Sequence, residues 1–344
     1  MKTDAMAMDW RHAAGFALLV SVASCGGPRT VVENRGPLLA SDVATSGVST
    51  FVWVSGGAEI AYVSGGAQLV AVRIADGVRR QLDAATPYFA AGVARSPDES
   101  ALYFIAYDPS AAVPRFTLRE ALAHRDVPVG EVTPISPSIS PDARRVLYWT
   151  AGAVSVLDAS GVTFSVPTCT ASPVRPVFSP SGDQLLCAGE SPVVFTLADG
   201  SSRRLPDTDS FAWRALRWNG TGPQPVALLP ENVYLTDAAS GQRRAVYKPS
   251  QGLLNYGLGE AAISEDGRFV AFWETECLHA DSIFSCQAGQ NEARLMIVEV
   301  ASGRAKMVAS GAHGPGPVVF SDDGALIAYV FQAGYGELHV RAVP

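Results

Sequence analysis

The residues of this chain that could do chemistry are few. The densest set is Cys277-Leu278-His279-Ala280-Asp281, followed by Cys286. A Cys-x-His-x-Asp spacing offers thiolate, imidazole and carboxylate, the ligands zinc takes. In an oxidising compartment the same two cysteines form a local disulfide instead, and that is the expectation here, with no metal assigned. His313 and His279 fall in long loops, His339 in a predicted strand, and His124 stands apart. Asp322-Asp323-Gly324 and Glu265-Asp266-Gly267 hint at calcium, but both lie in a turn that recurs along the chain. No Gly-x-Ser-x-Gly elbow, His-Glu-x-x-His pair or phosphate-cradling glycine loop occurs. No catalytic residue and no cofactor is therefore assigned.

Composition narrows the classes. Apolar residues make up 48% and charged ones 17% of 344 residues, which excludes disorder and long coiled coils. A net charge of −7 argues against nucleic acid as a partner, because phosphate rewards the opposite sign.

The N-terminus sets the compartment. Lys2 and Arg11 precede an apolar run from Ala13 to Val20, and small residues follow it. That is the order of a secretory signal, and the run is too short to cross a bilayer. Val22-Ala23-Ser24-Cys25 resembles the lipobox of bacterial lipoproteins. The resemblance implies a signal peptide over 1–24 and lipidation of Cys25; residues 25–43 are then read as a tether and, from where the repeat ends, a closing strand. With Gly26 rather than Asp after the cysteine, the resemblance implies an exported protein held by its lipid at the outer membrane, facing the periplasm or the cell surface.

The rest is a repeat. Phe320-Ser321-Asp322-Asp323-Gly324 has counterparts at Ile263-Ser264, Phe178-Ser179, Ile139-Ser140 and Arg95-Ser96, with degenerate copies near Trp53 and Trp218. Each is a turn followed by an apolar run, the pattern of a buried strand after a tight corner. A second turn follows at Asp76-Gly77, Ser160-Gly161, Asp199-Gly200, Ser240-Gly241 and Ser302-Gly303. In three copies an arginine pair comes next: Arg79-Arg80, Arg203-Arg204 and Arg243-Arg244. Such pairs would open the outermost strand, where charge blunts a sheet edge. Four strands per roughly 40–45 residues is the pattern of propeller blades.

The Ser-Pro-Asp-Gly repeat resembles the WD40-like (PD40) β-propeller repeat of the TolB and prolyl-oligopeptidase kind, over 44–344. The resemblance implies an all-β propeller; the seven copies of the repeat point to seven four-stranded blades, a departure from TolB, which has six. The chain ends where the last blade's fourth strand should begin, so Thr30-Val31-Val32-Glu33-Asn34 is expected to supply that strand and close the ring.

In such a blade both glycine turns share one face and the long loops share the other. Those loops, at 105–116, 205–216, 248–262, 273–293 and 309–317, carry Tyr107, Phe211, Trp213, Tyr256, Trp273, His279 and His313. They form the candidate binding face of a monomeric, non-enzymatic protein that takes a protein or glycan partner. The alternative is a metal-assisted polysaccharide lyase or hydrolase acting at the propeller channel. Four cysteines beyond Cys25 allow three pairings. Their places on the blades favour Cys277–Cys286 and Cys169–Cys187, because the crossed pairings would span about two blades.

Overall fold

A computed structural model describes residues 34–344 except 44–50, 66–67, 84–89, 97, 109–114, 130–131, 134–136, 151–152, 159, 162, 167–168, 170–175, 188–191, 206–212, 216–217, 220–221, 224–225, 230–231, 237–242, 249–260, 278–279, 283–284, 287–290, 312–313 and 334. The chain divides into Met1–Thr30 and Val31–Pro344, and the described residues belong to the second unit. The signal peptide and Cys25 lie outside them.

Among the described residues the regular structure is all β, arranged in seven four-stranded antiparallel sheets and two short hairpins. Sheet 1 holds Phe51–Val54, Glu59–Val63, Leu69–Arg73 and Arg79–Asp83. Sheet 2 holds Ala90–Arg95, Leu102–Asp108, Arg115–Glu120 and Arg125–Asp126. Sheet 3 holds Ser138–Ile139, Arg145–Thr150, Ala153–Asp158 and Thr163–Val166. Sheet 4 holds Val177–Phe178, Gln184–Cys187, Val193–Thr196 and Ser202–Arg204. Sheet 5 holds Trp213–Ala215, Val226–Leu229, Asn232–Thr236 and Arg243–Tyr247. Sheet 6 holds Ala262–Ile263, Phe269–Cys277, Asn291–Glu299 and Ala305–Gly311. Sheet 7 takes Gly314–Phe320, Leu326–Ala333 and Tyr335–Ala342 from the C-terminal end, and Leu38–Val43 from the other end of the chain.

The second strand of a sheet is buried on both sides, as in Glu59–Val63, so it reads as a continuous apolar run rather than an alternation. The core lies between sheets. Trp273, Leu295 and Ile297 of sheet 6 pack on Val318, Tyr329 and Phe331 of sheet 7. Phe51, Trp53 and Tyr62 of sheet 1 meet Ala328, Val330 and Leu338 from the other side of sheet 7. Fourth strands are the exposed ones: Ser202, Arg203 and Arg204 are all open to solvent.

The N-terminal pairing differs from the expected one. Residues 30–33 lie outside the described residues, and Asn34 makes only an isolated bridge to Ser310 of sheet 6. The strand that pairs with Tyr335–Ala342 is Leu38–Val43. The reason lies in Arg35-Gly36-Pro37. Gly36 adopts φ +81°, and the chain turns there from sheet 6 to sheet 7. The strand after the turn has the right residues for the slot: Ala40 and Val43 are buried, while Asp42 meets Tyr62 and Arg79 of sheet 1.

Candidate functional site

The repeated turn is a small hydrogen-bonded box. In sheet 6, Ser264 Oγ donates to Asp266 Oδ1 at 2.7 Å and accepts the backbone N–H of Phe269 at 2.9 Å. Asp266 in turn accepts the N–H of Arg268 at 3.0 Å. Ser96, Ser140 and Ser321 build the same box with Asp98, Asp142 and Asp323. In sheet 4 the carboxylate sits two positions later, as Asp183. The serines are buried, which is why serine holds the column: a small hydroxyl satisfies both a carboxylate and an inward N–H. The hydroxyl hydrogen bond holds the carboxyls of Asp98, Asp142, Asp183 and Asp323 below their ordinary range.

Neighbouring turns are tied to one another, so they share a face. Sheet 1 has Val54 in the serine column, and its turn at Ser55, Gly56 and Gly57 runs at positive φ throughout. Sheet 2 supplies what is missing: the Glu99 carboxylate accepts the N–H groups of Ser55 and Gly56 at 2.6 and 2.8 Å. Arg145 of sheet 3 donates to the Gly182 carbonyl of sheet 4 at 2.9 Å. Arg95 of sheet 2 pairs with Asp322 of sheet 7. The acids of Asp322-Asp323 are thereby engaged in a turn and an ion pair. Among the described residues no group of three metal-ligating side chains is found.

The opposite face is the expected binding face. Trp273 is not on it. The inserted segment begins as strand, so Phe269–Cys277 and Asn291–Glu299 form a nine-residue ladder, and Trp273 sits midway along it opposite Leu295. Its ring is fully buried against sheet 7, and its Nε1 donates to the Gly316 carbonyl at 2.7 Å. Tyr107 and Trp213 lie in the strands Leu102–Asp108 and Trp213–Ala215. Their side chains, and Phe211, Tyr256, His279 and His313 altogether, lie outside the described residues.

One expected disulfide is present. Cys169 and Cys187 are bonded with Cα atoms 5.2 Å apart, and they join the segment after sheet 3 to the second strand of sheet 4. Both are buried beside Trp149 and Phe195. Cys277 ends a strand of sheet 6 and Cys286 ends the small hairpin of Ala280–Ser282 and Ser285–Cys286; their side chains lie outside the described residues.

The two described histidines occupy separate sheets, each beside a carboxylate. His124, in the last turn of sheet 2, has Nδ1 3.5 Å from Asp83 Oδ1. Asp83 is fully buried and is held mainly by Arg119, whose Nε donates at 2.7 Å. His339 lies under residues 34–37. Its Nδ1 is 3.1 Å from the Pro37 carbonyl, Glu337 lies 3.6 Å from Nε2, and the ring stacks on Tyr329. Burial holds its pKa below the ordinary imidazole value.

Other polar groups make contacts between sheets, within sheet 1 and to the N-terminal segment that the repeat pattern does not announce. Arg35 pairs with Glu337 at 2.6 Å, and the Tyr329 hydroxyl donates to the Arg35 carbonyl at 2.6 Å. Asp42 accepts from Tyr62 at 2.9 Å and from Arg79 at 2.6 Å. Glu59 is gripped by Arg80 and Ser55. In the sequence, only the arginine doublet at 79–80 hinted at them.

Four-stranded sheets packed face against face, with first strands innermost and charged strands outermost, define the β-propeller class. No protein-family model matches the chain, and no curated protein matches it. Solved structures do. The Cps50 (Swd1) β-propeller domain of Myceliophteria thermophila superimposes with a TM-score of 0.61 at 15% identity, over 88% of this chain and 99% of that one. Kuenenia stuttgartiensis hydrazine synthase gives a TM-score of 0.54 at 15% identity, over 88% of this chain and 97% of its own. At that identity the likeness is one of fold.

Proposed function

We propose that the chain is an exported lipoprotein, anchored through Cys25, whose seven sheets form a closed propeller of the PD40 kind. It binds a protein or glycan partner through its loop face and catalyses no reaction. The observation that carries this reading is the difference between the two faces. On one, serine–aspartate boxes and links between neighbouring turns engage the polar groups internally. On the other stand the long connections, including the nine-residue ladder of sheet 6 with its inserted loop. Long loops on a rigid scaffold are where binding concentrates.

Closure of the ring is supported by the pairing of Leu38–Val43 with Tyr335–Ala342. It is supported too by the core that sheets 7 and 1 share.

The test is photo-crosslinking in cells. Crosslinkers placed at Tyr107 and Trp213 should yield a defined adduct, whereas those at Arg144 and Glu265, on the turn face, should not. Adducts confined to the turn face would overturn the reading. Loss of membrane fractionation and acyl labelling in Cys25→Ala tests the anchor separately.

A further inference from the structure

The outermost strand of sheet 3, Thr163–Val166, carries no charge, and the other six fall into two groups. Those of sheets 1 and 2 carry both signs of charge and that of sheet 7 carries one acid, and these charges are paired: Arg79 with Asp42, Arg80 with Glu59, Arg125 with Glu120. Those of sheets 4, 5 and 6, Ser202–Arg204, Arg243–Tyr247 and Ala305–Gly311, contain Arg203, Arg204, Arg243, Arg244 and Lys306 and no acid. Arg203, Arg204, Arg244 and Lys306 are exposed and have no acidic partner among the described residues. Lys248, just past the sheet 5 strand, is exposed as well.

Two acids in the adjoining turns and strands, among the described residues, are spoken for. The Asp199 carboxylate accepts the Ser201 N–H at 2.9 Å within its own turn. Glu299 takes Ser302 at 2.6 Å and Arg304 at 3.4 Å. The rim is continuous between sheets 5 and 6: a Cβ at Gly303 would lie 3.2 Å from the Val246 carbonyl, so the last turn of sheet 6 rests on the outer strand of sheet 5. Blunting an edge needs charge of either sign. It does not explain why three consecutive sheets carry cations alone in a chain of net charge −7.

We propose that this rim, over sheets 4 to 6, docks on an anionic phospholipid surface. The N-terminal segment enters the fold beside it. Asn34 exchanges backbone hydrogen bonds with Ser310, in the same outer strand as Lys306. Cys25 stands nine residues earlier in the sequence, a reach of roughly 30 Å when extended. A lipid on Cys25 would keep this rim within reach of the bilayer, where clustered cations gain from the surface potential. Met307, next to Lys306, is 41% exposed and adds an apolar contact at the same height. The inference rests on the proposed anchor for this proximity, while the charge of the rim stands without it.

The test compares partition of the full chain onto phosphatidylglycerol-containing vesicles with partition onto phosphatidylcholine vesicles. The wild type should prefer the anionic vesicles by about tenfold or more at low salt. The preference should shrink toward unity at high salt, as screening shortens the reach of the charges. The variant Arg203→Gln, Arg204→Gln, Arg243→Gln, Arg244→Gln, Lys306→Gln should lose the preference with an unchanged thermal midpoint. Arg144→Gln, on the turn face, should keep it. A wild-type ratio near one, a rim variant with the wild-type ratio, or retention by an acidic polysaccharide resin without retention by anionic vesicles each overturns the proposal. Acyl labelling of Cys25 is scored independently. Anionic preference without label keeps the rim and removes the anchor; label without preference does the reverse.

Discussion

At the scale of single residues, the serine of the repeat does more than turn the chain. Ser264 is buried, and its hydroxyl satisfies the Phe269 N–H and the Asp266 carboxylate together. Ser264→Ala leaves that N–H without a partner, so the variant should lose about 2 kcal/mol in urea unfolding. Ser302→Ala, at an exposed turn of the same sheet, should change stability by less than about 0.5 kcal/mol. This column was legible in the sequence because turn chemistry is local: Ser, Asp and Gly act within five positions. Trp273 was misread for the converse reason. Its placement depends on how far a hairpin stays paired, which the partner strand decides. His339 shows the same limit, since nothing near it in sequence announces that residues 34–37 cover it.

That burial gives His339 a pH signature. Its folded pKa is depressed, so below the unfolded value of about 6.5 the unfolded chain takes up a proton that the folded one resists. Stability contributed by the neutral ring is therefore present above that value and falls as pH drops through it. The groups around the ring are the Pro37 and Gly36 carbonyls, Glu337, Arg35 and Tyr329; the two carbonyls and Glu337 favour the charged form, and burial outweighs them. Between pH 7 and pH 5 the thermal midpoint of the wild type should fall faster than that of His339→Asn. Parallel curves for the two proteins would remove this role.

At the scale of elements, the segment Asn34–Pro37 acts as a strap between two sheets. It reaches Ser310 of sheet 6, and Glu337, Tyr329, His339 and Arg341 of sheet 7. Gly36 is required at its centre. A Cβ there would run into Arg341 Nε and stand 2.9 Å from the Tyr329 hydroxyl, at φ +81°. Gly36→Ala should cost about 1–3 kcal/mol, read as a fall in unfolding midpoint. Gly57→Ala, with open space around its Cβ, should cost less, confined to the strain of positive φ. The disulfide is an element of the same kind. Cys169 and Cys187 close a loop of 18 residues, so Cys169→Ala with Cys187→Ala should lose about 3 kcal/mol in denaturant unfolding. Chain proximity made that pair readable in advance. The closing strand was placed eight residues too early because Thr30-Val31-Val32 has high strand propensity, whereas the slot selects for an Asp that can meet Tyr62 and Arg79.

At the scale of the whole molecule, the proposed ring depends on its two ends holding one sheet together. Leu38–Val43 covers the edge of Tyr335–Ala342, with Ala40 and Val43 inside the core that sheets 7 and 1 share. Asp42 adds an ion pair to Arg79 of sheet 1, at 2.6 Å. Removing residues 26–43 takes away these contacts together and leaves an unpaired edge of eight residues, a template for pairing between chains. The loss should exceed about 4 kcal/mol, beyond the usual range of a point substitution. The truncated chain should also form dimers or larger species in size-exclusion chromatography. A synthetic peptide spanning residues 34–43 should refill the slot, raising the midpoint with peptide concentration as a ligand of the folded state does. A peptide with Asp42→Asn and Val43→Ser should do so poorly. A truncated chain that stays monomeric, melts with the full-length protein and ignores the peptide would mean that sheet 7 holds without its N-terminal strand. The ring would then owe its stability to packing between sheets alone.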